Sequence, residues 1–317
     1  MKIGLRLPQT GEHNVTKENI IRLANEAENA GCFDSLWVLE RLIWPINPQT
    51  PYPGSEDGKF PADWQYIFEP LGTLTYVAAN TENIALGTSV IDMLFQNPVI
   101  LARRFATLDV LSKGRAIAGL GIGWSKDEYD VSGIPYKHRG ARADEFLQVL
   151  KRIWTDDVIE FKGKFYNIPA SRIGPKPVQK PYPPVILGGF SPKTLSRIVK
   201  YADGWLPIAG FGPLDQLEQA INDLREGARR ANRDPSKIRI VVLSYPNLLE
   251  SAQSSSSTEE QQQRFPMAGT IDQIGSDIQR IKSMGAEHIV FGYAFSPIGR
   301  DVKKMIGITK QLVRFAR

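Results

Sequence analysis

The 317-residue chain has one cysteine, three histidines and no apolar run near the roughly 20 residues that a membrane-spanning helix requires. With Cys32 alone no internal disulfide can form. No histidine stands near it in "NAGCFD", so burial as a small apolar group is its default role. So few histidines and cysteines argue against a structural zinc or iron centre, and no metal site is expected. A net charge of +5 would permit weak polyanion binding, but neither a basic helix nor an aromatic RNA platform accompanies it, so nucleic acid is not an expected partner. The opening KIGLRLP reads as a strand rather than a signal sequence, which makes a cytoplasmic protein without membrane attachment the expectation.

What the chain does contain is alternation. Short β-branched runs are each followed by an amphipathic stretch, and the pair recurs eight times. Strands are predicted at residues 2–8, 35–40, 83–90, 115–121, 184–189, 203–208, 237–245 and 288–293. Their helices begin near Thr16, Phe68, Pro98, Arg139, Ser191, Pro213, Thr270 and Gly299. Asn97-Pro98 and Ser191-Pro192 each set a capping side chain before a proline at the first helical position, and Gly31, Gly114 and Gly285 stand where helices stop. Eight consecutive units, with 42% apolar residues to fill a core, favour a closed α/β barrel, the (β/α)8 TIM barrel, as one domain over 1–317.

Three stretches interrupt the rhythm. Residues 41–67, rich in proline and aromatics, read as a lid. Residues 156–183 read as a hairpin followed by an extended segment. The low-complexity run "SAQSSSSTEEQQQ" at 251–263 is expected to be disordered.

Barrels of this kind bind ligands at the carboxyl ends of their strands. Those positions carry no Ser-His-Asp order, no paired histidines and no lysine for a Schiff base. They are small, apolar and hydroxylic instead: Thr88-Ser89-Val90 with Asp92, Gly121-Ile122-Gly123, and Gly188-Gly189-Phe190-Ser191. Such a rim suits a protein that takes its reactivity from a flat cofactor, which glycine lets the backbone approach closely. In "ILGGFSPKTLSRI" the strand meets a helix whose first-turn N–H groups point outward, as an anion site requires; an ordinary strand-to-helix turn has the same sequence. Residues 161–202 hold eight Lys and Arg and no Asp or Glu, which reads either as a field for a phosphorylated or polyacidic ligand or as a solvated hairpin face. "GLGIGW" at 119–124 lacks the remainder of the dinucleotide fingerprint.

Five segments, "FDSLWVLERLIWP" (33–45), "IALGTSVIDMLFQNPVILARRFATLDVLSKGR" (84–115), "GLGIGWSKDEYDVSGIPYKHRGARADEFLQVLKRIW" (119–154), "GPKPVQKPYPPVILGGFSP" (174–192) and "YADGWLP" (201–207), resemble the luciferase-like oxidoreductase superfamily, in particular its branch dependent on the deazaflavin coenzyme F420. The resemblance covers nearly the whole chain. It implies a cofactor ring across the strand ends, backed by a non-prolyl cis peptide that would be Ser89-Val90, next to Thr88. It places Leu39, Glu40 and Asp92 near the ring, Gly121, Ile122 and Gly123 along its edge, and Leu187, Gly188, Gly189, Phe190 and Ser191 around the phosphate. Trp44 and the aromatic lid would wall a substrate pocket; aromatics there could equally be plain core.

The chain departs from the family at one point. Many deazaflavin members carry Asp-His after the second strand, and the matching residues here are Glu40-Arg41. Glu40 is the first candidate to handle the proton in place of that histidine, because a carboxyl in a partly apolar pocket is pushed toward neutral pKa. A salt bridge with Arg41 is the competing role. His13 is the second candidate, while His138 and His288 read as surface and structural.

The resemblance implies hydride transfer between F420 and a small organic substrate. The alternative is an FMN-dependent monooxygenase using reduced flavin and O2, and the third reading is a non-catalytic, cofactor-free member with a trans Ser89-Val90 bond. Family barrels often pair through helices near the second and third strands, so a homodimer is expected. The lid's composition points to an apolar or ring-bearing substrate.

Overall fold

The structure, a computed structural model, describes residues 1–12, 15–55, 57–249 and 264–317. His13 and the 251–263 run lie outside the described residues. Among those described, eight strands form a closed barrel: Lys2–Arg6, Ser35–Val38, Ala85–Thr88, Ala116–Gly121, Val185–Gly188, Gly204–Leu206, Arg239–Ser244 and His288–Phe291. Each pairs in parallel with the next, and the eighth returns to the first with His288 opposite Lys2 and Phe291 opposite Leu5. This is the (β/α)8 barrel that the alternation predicts. The helices between strands bury one apolar stripe each, and no described helix is long and apolar enough to cross a membrane.

Capping chemistry sets the helix starts. Thr16, Asn97 and Ser191 each accept a backbone N–H of the first turn, and Thr270 with Gln273 forms a reciprocal capping box. Two starts differ from expectation. The second helix begins at Pro70 rather than Phe68, because the Glu69 carboxylate takes the N–H groups of Leu71 and Gly72. The last begins at Val302, capped by Asp301, because Pro297–Arg300 first makes a separate 3-10 turn. The hairpin is present, with Ile159–Lys162 antiparallel to Asn167–Ser171.

Alternation along each strand divides the core in two. Leu36 and Val38 face the helices, whereas Trp37 joins Ile186, Leu206, Val241, Leu243 and Val290 inside the barrel. Trp37 is fully buried because glycine stands on both sides of it: a Cβ at Gly87 would lie 2.4 Å from its ring and one at Gly4 2.7 Å away. Its indole N–H donates to the Ser35 hydroxyl, which lies 2.8 Å from His288 Nε2. Burial, then the positive charges of Lys2, the N-terminus and Arg239, lowers the His288 pKa to about 3, so this ring stays neutral and structural at the amino end of the barrel.

Candidate active site

The third strand breaks where its sequence turns small and hydroxylic. Gly87 pairs with Ile117, but Ile91 pairs with Leu120, so four steps on the third strand face three on the fourth. The extra residue falls at Ser89-Val90, whose peptide bond is cis, not the trans bond that a cofactor-free member would carry. Thr88 explains the local register. Its hydroxyl donates to the Gly119 carbonyl at 2.6 Å and accepts from the Gly119 N–H at 3.0 Å. The strands approach so closely that a Cβ at Gly119 would lie 1.6 Å from the Thr88 carbonyl oxygen.

Thr88 therefore departs from its expected place beside a cofactor. It is 0% exposed and both hydrogen-bonding functions of its hydroxyl are occupied by the neighbouring strand. Thr88→Val, nearly isosteric, is expected to cost about 1–3 kcal/mol in denaturant unfolding while leaving ligand affinity at the mouth unchanged.

Beyond the break, Val90 lies between two glycines. Its methyl groups would be 2.7 Å from a Cβ at Gly121 and 3.2 Å from one at Gly188, so the three residues make a level floor at the strand ends. Gly121, Ile122, Leu187 and Gly188 line a recess there. Through Ile122 and Arg197 the recess adjoins an open cleft of about 630 Å³ that includes His138, Arg139, Ser191, Lys193 and Lys200.

The cleft holds the start of the Arg139–Thr155 helix, and no side chain caps that start, since His138 precedes it in the left-handed region at φ 64°. The free first-turn amides expected at Ser191-Pro192 are partly used, because the Ser191 hydroxyl accepts the Thr194 N–H at 3.1 Å. Of the two helix starts in the cleft the one at Arg139 is without a side-chain cap, and the buried Arg139 Nε has no hydrogen-bond partner among the described residues. The charge pattern needs a parallel correction. Of the eight cations in 161–202, Lys193, Arg197 and Lys200 reach the cleft. Arg172 and Lys162 pair with Asp157 and Glu160 on the hairpin, and Lys176 and Lys180 are tied to backbone carbonyls. Arg197 is itself paired with Asp144.

On the other side of the floor stands a cluster of acids around one cation. Arg41 reaches Asp92 at 3.1 Å and Glu128 at 3.1 Å with its side chain 7% exposed, and its guanidinium lies 5.6 and 5.3 Å from the rings of Trp64 and Trp124. The competing salt bridge between Glu40 and Arg41 is not made: Arg41 Nε donates to the Glu40 backbone carbonyl, and the Glu40 carboxylate accepts the Asp92 N–H at 2.7 Å. Burial, then the Asp92 charge, raises the Glu40 pKa to about 8, against the opposing pull of that N–H. Burial also raises Asp92 and Glu128, with Arg41 pulling both back down.

Above this cluster the 41–67 loop folds into an aromatic box of Tyr52, Phe60 and Trp64 with Trp124, and Trp44 packs half-buried against it while donating to the Pro61 carbonyl. Gln49 bonds Asp127 and Asp130 and strapped contacts of this kind hold the loop to the Lys126–Val131 helix. Among the other expected residues, Gly123 donates its N–H to Asp92, and Leu39 is 7% exposed, fixed at both backbone groups by Gln9. Ser89 bonds the Val38 carbonyl, Gly189 accepts from Trp205, and Phe190 is 45% exposed with its ring edge-on to Trp205. In the sequence Gln9 stands only at a strand end and Arg139 only at a helix start, because neither carries a motif and each matters only through partners remote in the chain.

A family model described as luciferase-like monooxygenase matches residues 1–287. An F420-dependent glucose-6-phosphate dehydrogenase of Amycolatopsis mediterranei is 31% identical over 234 residues, 72% of this chain and 65% of that protein. An uncharacterized protein of Mycobacterium tuberculosis is 31% identical over 223 residues, 70% of this chain and 77% of that protein. Two solved structures share the fold: an F420-dependent secondary alcohol dehydrogenase in complex with an F420-acetone adduct (TM-score 0.78, 22% identity, 100% of this chain and 99% of that one) and monooxygenase RslO1 from Streptomyces bottropensis (TM-score 0.77, 19% identity, 99% and 98%). A match over residues 1–287, across the barrel's first seven strands, makes this protein a member of the luciferase-like monooxygenase family.

Proposed function

We propose that the protein is a coenzyme F420-dependent oxidoreductase that transfers hydride to or from a small organic substrate, with Glu40 handling the accompanying proton. The observation that carries the reading is the buried Glu40 carboxyl at the strand ends, which accepts the Asp92 N–H at 2.7 Å and whose pKa burial raises to about 8, so that it favours the protonated form at neutral pH. Residues at the barrel mouth fit a polyanionic heterocycle: the glycine-bordered floor of Val90, Gly121 and Gly188, the uncapped helix start at Arg139, and Lys193 and Lys200, which have no ion pair among the described residues. The deazaflavin would supply hydride chemistry there when bound. Leu39, Ser89, Asp92, Ile122 and Gly123 would border its ring, Leu187, Gly188, Gly189, Phe190 and Ser191 its phosphate, and Trp44 with the aromatic box would exclude water from the substrate.

The 31% identity to an F420-dependent dehydrogenase also supports this reading over FMN. Titrating the purified protein with each cofactor tests it: micromolar FMN affinity without deazaflavin binding would reject it in favour of the monooxygenase. The paired variant Lys193→Glu/Lys200→Glu is expected to weaken deazaflavin binding about tenfold at low salt, with the difference shrinking as ionic strength rises.

A further inference from the structure

Arg6 ends the first strand, is 5% exposed, and reaches the barrel mouth. Its side chain donates to the Tyr245 hydroxyl, and the Tyr245 ring centre lies 5.7 Å from the guanidinium carbon. Among the described residues no carboxylate oxygen comes within 4.0 Å of it. The other deeply buried arginines each have an acid: Arg41 has Asp92 and Glu128, and Arg197 has Asp144. A guanidinium cannot shed its proton to escape the cost of burial, so a lone buried one marks a place where a counter-anion belongs.

The fold makes room for this cation. A Cβ at Gly292 would lie 2.9 Å from Arg6 Cδ and 3.0 Å from the Tyr245 ring. Arg6 opens on a cavity of about 30 Å³ that it shares with Thr10, Leu39, Asp63, Ser296 and Arg300. That space holds about two water-sized groups, which suits a planar carboxylate and crowds a phosphoryl group. The Asp63 carboxylate on the same wall further disfavours a dianion. Beside the cavity the Tyr245 ring meets Phe295 at 4.8 Å, and Phe295 meets Trp64 at 6.3 Å, so an aromatic wall runs from Arg6 to the lid box.

We propose that Arg6 anchors the carboxylate of the substrate, whose class is an aryl or cyclic monocarboxylate with its ring against the Tyr245–Phe295–Trp64 wall. The proposal rests on the reading that substrate lies over the barrel mouth beneath the lid. Benzoate and benzamide, equal in shape and different in charge, are the probes, titrated into cofactor-free protein by tryptophan fluorescence and calorimetry. Benzoate is expected to bind saturably and benzamide at least about tenfold more weakly; Arg6→Met should lose about 10- to 100-fold in benzoate affinity, and Arg6→Lys should recover part of it. Arg6→Met should also unfold at higher denaturant than the parent, since it removes an uncompensated buried charge, whereas an arginine kept only for structure would give the opposite shift. Equal binding of the two probes, no saturation by benzoate, or unchanged benzoate affinity in Arg6→Met would overturn the proposal. Cofactor titrations separate the two failures: if deazaflavin binds and benzoate does not, the anchor alone falls, and if benzoate binds while neither cofactor does, the oxidoreductase reading falls.

Discussion

Replacing Glu40 with glutamine is expected to lower turnover of the deazaflavin-loaded protein by about 10²- to 10⁴-fold, the usual contribution of a positioned acid or base, with cofactor affinity within a few-fold of the parent. The pH profile gives the sharper readout. With a pKa near 8, Glu40 is protonated and able to donate below that pH and an acceptor above it, so the parent's rate should change across pH 8 and the variant's should not. Stability carries an independent signature. The folded pKa lies above the unfolded value of about 4.5, so the unfolded chain loses this proton first as pH rises. The stability tied to neutral Glu40 is therefore full below about pH 4.5, declines from there, and is gone above about pH 8. Glutamine cannot ionise and escapes that decline. Unfolding free energies of parent and variant, read from denaturant titrations, should nearly coincide at pH 5 and separate by roughly 2–4 kcal/mol in the variant's favour at pH 8.5. Coincident free energies at both pH values would mean that Glu40 is ionised at rest, and the proton-handling role would fail with it.

Arg41→Met should destabilise the fold by about 3–5 kcal/mol at pH 7, because it leaves Asp92 and Glu128 buried without a counter-charge. Both carboxyls are raised by burial and lowered by Arg41, so removing Arg41 raises them further. By the same sign argument the variant's deficit is least in acid, where folded and unfolded chains both carry neutral carboxyls, and grows as pH rises through the range where only the unfolded chain ionises. The triple variant Arg41→Met/Asp92→Asn/Glu128→Gln removes the orphaned charges and should recover most of the loss. Urea unfolding at pH 5 and pH 8 checks both statements, and a deficit that does not change with pH would show that Arg41 acts by packing between Trp64 and Trp124 instead.

These two neighbours show where sequence reading stops. Glu40 was identifiable as the carboxyl next to Arg41, which stands where the family histidine would be, and its elevated pKa could be anticipated from an apolar setting. Its separation from Arg41 could not, since adjacent charges of opposite sign look like a pair until the backbone sends them different ways. Arg41 crosses to residues 51 and 87 positions away, and Glu40 instead accepts the Asp92 amide. Thr88 is a similar case. Its type and strand-end position suggested contact with a ligand, and only the register between the third and fourth strands turned its hydroxyl onto Gly119.

The run of cations in 161–202 illustrates the same limit for electrostatics. Composition counts charges along the chain, but a field depends on distances in space, and the hairpin with the segment after it carries five of the eight away from the cleft to local partners or solvent. Conversely, Arg139 is separated from Ser191 by half a hundred residues and meets it across the same cleft.

From the sequence alone came the eight-fold alternation, the closed barrel and the strand ends where ligands gather, because periodicity, capping residues and glycine placement are local signals that survive without coordinates; the cis bond at Ser89-Val90 was implied only by the family resemblance. Tertiary structure decided which ionisable groups face each other: Glu40 beside Asp92, Arg41 between two acids and two indoles, and Arg6 with a phenol but no acid among the described residues. Interaction between charges falls with separation and strengthens with burial, and both quantities are set by strands that lie side by side in the barrel but far apart in the chain, as Arg6 and Tyr245 are by 239 residues.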